Sequence, residues 1–142
     1  MTLRIKKTDE AAVIPRYATE GDAGLDLFAL EPLTIPPSEY ALVRTGIALE
    51  LPYGTEAQIR PRSGLALRYG VTLLNSPGTI DCGYRGEIKV LMINHGRERF
   101  TVTVGMKIAQ MVISAPVYAE IVLVEELSGS KRGDSGFGST GL

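Results

Sequence analysis

Apolar and polar residues alternate along most of the chain with a period of two, in short runs broken by turn-forming residues. The runs Ala41–Arg44, Ile88–Ile93, Phe100–Val104 and Val117–Val124 alternate or are β-branched. Successive strand side chains point to opposite faces, so such runs predict strands of roughly four to eight residues. Turn signals lie between them: Pro36-Pro37-Ser38, Pro52-Tyr53-Gly54, Ser76-Pro77-Gly78, Asn94-His95-Gly96 and Val104-Gly105. Many short strands at a spacing of roughly 8 to 12 residues predict an all-β sandwich, jelly roll or barrel. One segment departs from the pattern. Gly64–Tyr69, following Ser63 and bounded by Gly70, reads as a short helix with Ser63 at its N-cap.

After Glu126 the pattern stops. Ser128–Gly141 holds one aromatic side chain, no aliphatic one, and five of the chain's 16 glycines. Such a segment cannot bury enough apolar surface to order itself, which predicts a β-domain over residues 1–126 and a flexible arm over 127–142. The 142 residues, 44% of them hydrophobic, suit one core. With 15 basic and 16 acidic residues the formal net charge is -1, too little field to hold a nucleic-acid polymer. Cys82 is the single cysteine and no Cys/His set has zinc spacing, which fits a reducing, cytoplasmic location. Met1–Lys7 lacks the apolar core of a signal peptide, and no run approaches the roughly 18 apolar residues of a membrane span.

Five segments carry candidate chemistry. Arg60–Ala66 places the Arg62 guanidinium, the Ser63 hydroxyl and Gly64 at a helix start, which suits a phosphate oxygen, although a capped surface helix has the same composition. Asn75–Lys89 has the pattern of a turn-rich hairpin leading into a strand. There Asn75 offers an amide donor and acceptor to a base, Tyr84 a surface for a sugar and Asp81 a general base, against the plainer reading of a turn. In Asp22–Ala29, carboxylates four apart share a face if the segment is a strand, and hard oxygens suit Mg²⁺. In Gly105–Ile113, a turn and then a strand, Gln110 interrupts apolar residues and needs a partner, usually a backbone group. In the arm, Phe137 can stack on a base while Ser139, Thr140 and Arg132 meet phosphates, or the whole can be a linker.

In this order, the five segments resemble the five motifs of the trimeric dUTP pyrophosphatase (dUTPase) family, with similarity from about Tyr17 to Gly141. The resemblance implies a jelly-roll-like β-clip domain with a flexible C-terminal arm, assembled as a homotrimer with active sites at subunit interfaces. It implies hydrolysis of dUTP to dUMP and pyrophosphate by in-line attack of water at the α-phosphorus, with Mg²⁺ as cofactor. That reaction limits uracil incorporation into DNA and supplies dUMP for thymidylate synthesis. By similarity, Asp81 orients and deprotonates the water and contacts the sugar 3′-OH, and Tyr84 packs under the deoxyribose. Asn75 and the backbone of Gly78, Thr79, Ile80 and Lys89 would read uracil. Arg62, Ser63 and Gly64 would hold the α and β phosphates, Gln110 would fix phosphate and water, and Asp26 would bind Mg²⁺ through water. Arg132, Phe137, Gly138, Ser139 and Thr140 would reach the γ-phosphate and stack on the base. Asp134 departs from what a triphosphate site favours and is expected to face solvent, and Cys82 receives no catalytic role.

Two other readings stay open. A dCTP deaminase on the same fold needs a carboxylate at the base C4, and a catalytically silent β-domain would only bind nucleotide or a protein partner. The acid in Ile80-Asp81-Cys82-Gly83-Tyr84 and the full glycine-rich arm favour pyrophosphate release.

Overall fold

The alternating runs become strands whose apolar sides face each other across one core. The computed structural model describes residues 1–136. In chain order, β1 is Arg4–Lys7, β2 Leu25–Phe28, β3 Leu33–Ile35, β4 Tyr40–Glu50 and β5 Glu56–Arg60. The helix α1, Ser63–Tyr69, precedes β6 Val71–Leu73, β7 Gly78–Asp81, β8 Glu87–Asn94, β9 Phe100–Val102 and β10 Lys107–Ser114. One sheet has the order β1-β4-β8-β6, a second β2-β10-β5-β7, and β3 pairs with β9. Every strand pair is antiparallel, giving the expected jelly-roll-like, all-β fold. Val43, Ile47, Ile88 and Met92 from the first sheet meet Leu27, Ala57, Ile59, Ile108 and Met111 from the second in a single cluster. Each fully buried aliphatic side chain stabilises by about 1.5–3 kcal/mol. No helix among the described residues is long and apolar enough to cross a membrane.

Asn94, at the end of β8, is wholly buried and fully paired. Its Nδ2 donates to the carbonyls of Ile35 (2.9 Å) and Glu98 (2.8 Å), and its Oδ1 accepts from the Gly96 N–H (2.8 Å). A strand end is thereby tied to the following loop.

Four local expectations are corrected. The Val117–Val124 run has the alternation of a strand, yet no strand follows Ser114 among the described residues, and Val117 and Leu123 are 95% and 98% exposed. The N-cap of α1 is Arg62 rather than Ser63, with extended backbone and no side-chain cap bond; the Arg62 carbonyl accepts from the Leu65 and Ala66 N–H groups. Ser63 is already helical, so its hydroxyl is not used for capping. At the other end Gly70 adopts φ 67°, a left-handed cap that glycine makes without strain. Asp22 precedes β2 in a turn, because its Oδ2 accepts from the Thr19 N–H at 2.8 Å and closes the chain there. Finally, β7 and β8 are not a paired hairpin: β7 pairs with β5, while β8 pairs with β4 and β6.

Candidate active site

The crossing from β7 to β8 passes between the two sheets and carries Asp81 and Tyr84. In the β5–β7 register Asp81 stands opposite Glu56 and Thr79 opposite Gln58. The turn beyond is braced from within. The Tyr84 N–H donates to the Asp81 carbonyl (3.0 Å), and Arg85 Nη1 donates to the carbonyls of Cys82 (2.7 Å) and Tyr84 (3.0 Å). The Tyr84 hydroxyl donates to the Glu87 carbonyl at 3.2 Å, which fixes the ring. The result is a cleft of about 370 Å³ lined by Leu42, Thr79, Ile80, Asp81, Tyr84, Glu87 and Lys89. Asn75 is exposed in the turn before β7, and Gly78 is buried against β5.

Three carboxylates lie at or beside this cleft: Asp81, Glu87, which is paired with Arg44, and Glu56, which stands opposite Asp81 in the register. Hydrogen bonds from Gln58 and Ser114 hold the Glu56 carboxyl below its ordinary value, with help from the Arg60 charge. Gln58 Nε2 and Ser114 Oγ lie 2.8 and 2.9 Å from Glu56 Oε1. Asp81 is exposed and its carboxylate accepts no side-chain hydrogen bond among the described residues.

A second pocket, of about 280 Å³, collects the other segments: Asp22, Gly24, Asp26, Arg62, Ser63, Gly64 and Gln110 border it. Asp22 and Asp26 thus share a pocket without sharing a strand face. Asp26 is buried; its Oδ2 lies 2.6 Å from Lys107 Nζ and its Oδ1 3.5 Å from Arg62 Nε. Arg62 Nη1 also donates to the Lys107 carbonyl at 3.2 Å, so the guanidinium is held on two sides. Gln110 Nε2 donates to the Pro61 carbonyl at 2.9 Å, the backbone partner that a strand amide requires. A Cβ on Gly24 would stand 2.7 Å from Gln110 Oε1 and 3.2 Å from its Cβ, so a larger residue there would displace the amide. The pocket therefore offers a fixed guanidinium, an exposed hydroxyl and a close main chain, donors that suit phosphate oxygens.

No group of three Asp, Glu, His or Cys residues able to hold a metal exists among the described residues. Asp26 is the buried carboxylate of this pocket, and it already faces two cations. A divalent ion bound directly would have to displace them, whereas contact through a water fits. Arg132 is exposed, its Nε donating to the Ser135 carbonyl at 3.0 Å. The expected contacts of Phe137, Gly138, Ser139 and Thr140 lie outside the described residues. Sequence reasoning missed Lys107, Leu42 and Glu87. The first is aimed at Asp26 only through the β2–β10 register, and the other two reach the Asp81 cleft from β4 and the start of β8.

Known proteins resemble this chain over nearly its whole length. A family model described as dUTPase matches residues 10–141. The deoxyuridine 5′-triphosphate nucleotidohydrolase of Gloeothece citriformis is 59% identical over 142 residues, all of this chain and 98% of that protein. Its namesake in Clostridium acetobutylicum is 60% identical over the same span and share. Among solved structures, a Staphylococcus bacteriophage 80alpha dUTPase variant with dUpNHpp superposes with a TM-score of 0.92 at 27% identity, covering 99% of each chain. The dUTPase of phage phi11 of S. aureus, whose structure describes coordination of a structural Mg(II) ion, gives 0.82 at 26% identity, covering 89% of this chain and 98% of that one. With nearly its whole length matched by one family model and by relatives of such identity, the chain belongs to the dUTPase family.

Proposed function

We propose that this chain hydrolyses dUTP to dUMP and pyrophosphate by attack of water at the α-phosphorus, with Asp81 as general base. The observation that carries this is the division of labour between two pockets. One holds a free carboxylate beside a pinned tyrosine ring, and the other a braced guanidinium, a free hydroxyl and an amide. A nucleotide needs both: a surface for base and sugar, and positive donors for phosphates.

In this reading Tyr84 packs on the deoxyribose and leaves no space for a 2′-OH. Asn75 and the main chain of Gly78, Thr79, Ile80 and Lys89 pair with uracil. Arg62, Ser63 and Gly64 hold the α and β phosphates, and Gln110 holds phosphate and water. Asp81 takes the proton of the attacking water as its oxygen bonds to the α-phosphorus and the bond to the bridging oxygen breaks. Positioning and charge neutralisation supply most of the catalysis in such displacements. Asp26 would hold Mg²⁺ through water, and the ion would supply neutralisation of phosphate charge. The fit of Asp26 to an outer-sphere contact, and the ion in the phage phi11 relative, support that assignment.

The two pockets share no lining residue, so one chain presents two half-sites. A homotrimer whose neighbouring copies bring cleft against phosphate pocket completes the site. The exposed apolar stretch containing Val117, Ile121, Leu123 and Leu127 supports assembly, since such side chains need cover. The β-domain over residues 1–126 then carries both half-sites, and the arm over 127–142 closes on the triphosphate through Arg132, Phe137, Gly138, Ser139 and Thr140. The lone cysteine is consistent with work in the cytoplasm. Pyrophosphate release across dUTP, dTTP, dCTP and UTP tests the reading. Release from dUTP alone is expected, and ammonia from dCTP without pyrophosphate from dUTP would replace it with deamination.

A further inference from the structure

A further cavity overlaps the phosphate half-site only at Arg62 and Gly64. It is a groove of about 1110 Å³ along α1, bordered on its far side by the loop between β8 and β9. Arg62, Arg68, Arg97, Arg99 and Lys107 line it, with Glu98 as the single acid. The chain holds 15 Lys and Arg in all and a net charge of -1, so gathering this many cations on one groove is a local feature and not a reflection of a basic protein. Arg62 and Lys107 are already committed to Asp26. Arg68, Arg97 and Arg99 are exposed, and among the described residues none of them has an ion pair or side-chain hydrogen bond.

The loop that carries two of these guanidiniums is held by its backbone. Asn94 binds the Glu98 carbonyl and the Gly96 N–H, and the His95 N–H donates to the Gly70 carbonyl at 2.9 Å. Tyr69 and Phe100, with ring centroids 5.3 Å apart, close the wall behind it. The free arginines therefore stand on a fixed frame. Such a frame lowers the entropy lost when an anion is gripped. Arg62 and Gly64 line both this groove and the phosphate pocket, so the two are continuous at the edge where phosphates are expected.

We infer that the groove is a second anion site and that its ligand is the inorganic pyrophosphate leaving the phosphate pocket; this rests on the pyrophosphate-releasing reading above. Pyrophosphate carries several negative charges on oxygens spaced for guanidinium forks. Arg62 touches both sites and hands the product from one to the other. Arg68, Arg97 and Arg99 then compete with the phosphate pocket for it, clearing that pocket for the next triphosphate. A second nucleotide is a poorer occupant, because the shared edge is the phosphate edge and Tyr69 is already packed against Phe100.

The test is calorimetric titration of the intact protein with inorganic pyrophosphate, alongside product inhibition of dUTP cleavage. Wild type should bind two pyrophosphates per chain and R97A/R99A one. Initial-rate turnover of dUTP should be retained in that variant, while binding at the groove weakens by about tenfold or more, the scale for losing two exposed charge contacts. R97K/R99K, which keeps the charge, should recover much of the binding. One pyrophosphate per chain in a wild type that cleaves dUTP, or identical titrations for wild type and R97A/R99A, would overturn the groove inference alone. Absence of dUTP cleavage would instead overturn the reading beneath it.

Discussion

Replacing Lys107 with methionine removes the nearer of the two cations that face buried Asp26. The ammonium lies 2.6 Å from Oδ2, while the remaining Arg62 Nε lies 3.5 Å from Oδ1. Breaking a fully buried pair by deleting one partner costs about 3–5 kcal/mol, because the other charge is left without compensation. Here the Lys107 side chain is 36% exposed and that of Asp26 10%, so water screens part of the interaction and about 2 kcal/mol is expected. For a domain of this size that is a fall in Tm of roughly 6–8 °C. Urea and thermal unfolding should be read at one fixed protein concentration, since assembly makes Tm concentration-dependent. The double variant D26N/K107M removes the stranded charge as well and should recover about half the loss, on the order of 1 kcal/mol. K107M within about 0.5 kcal/mol of wild type, or a double variant less stable than K107M, would refute the claim that this lysine neutralises Asp26.

Asp81→Asn keeps the shape of the cleft but cannot accept a proton, so turnover should fall by about 10²–10⁴ while binding of a non-hydrolysable dUTP analogue stays near normal; near-normal kcat would remove Asp81 from the chemistry. Truncation after Glu126 spares every strand among the described residues, the last of which ends at Ser114, and should leave far-ultraviolet circular dichroism unchanged while most activity is lost. Full activity of that truncation would exclude the arm from the site. Asn94→Ala deletes three hydrogen bonds around a wholly buried side chain, a loss of about 3 kcal/mol in urea unfolding at roughly 1 kcal/mol each. A loss below about 1 kcal/mol would mean that water replaces the amide.

Much of the fold was legible because strand alternation is a local signal. Ile88–Ile93 became β8, and Ala41–Arg44 became part of β4, since each has a neighbour to pair with and a core to face. Val117–Val124 has the same pattern and no strand partner among the described residues, which shows the limit: periodicity reports that a segment can be a strand and not what it pairs with. Asp26, Arg62, Ser63, Gly64 and Gln110, which border one pocket, were legible as short motifs. How they are held was not, because Lys107 reaches Asp26 across a register irregularity between Lys107 and Ala109 that re-aims the side chain. Asp22 was misplaced for the opposite reason, a purely local turn bond to Thr19 that hydrophobic pattern does not record. Arg97 and Arg99 gave no sequence signal at all, since their shared groove with Arg68 exists only once α1 and the loop after β8 are packed together.

The central claim is water attack at the α-phosphorus of dUTP. Turnover in ¹⁸O-labelled water, with both products analysed by mass spectrometry, tests it most directly. The account predicts one labelled oxygen in dUMP and none in pyrophosphate; label in the pyrophosphate would place the attack at the β-phosphorus and contradict the geometry assigned to Asp81.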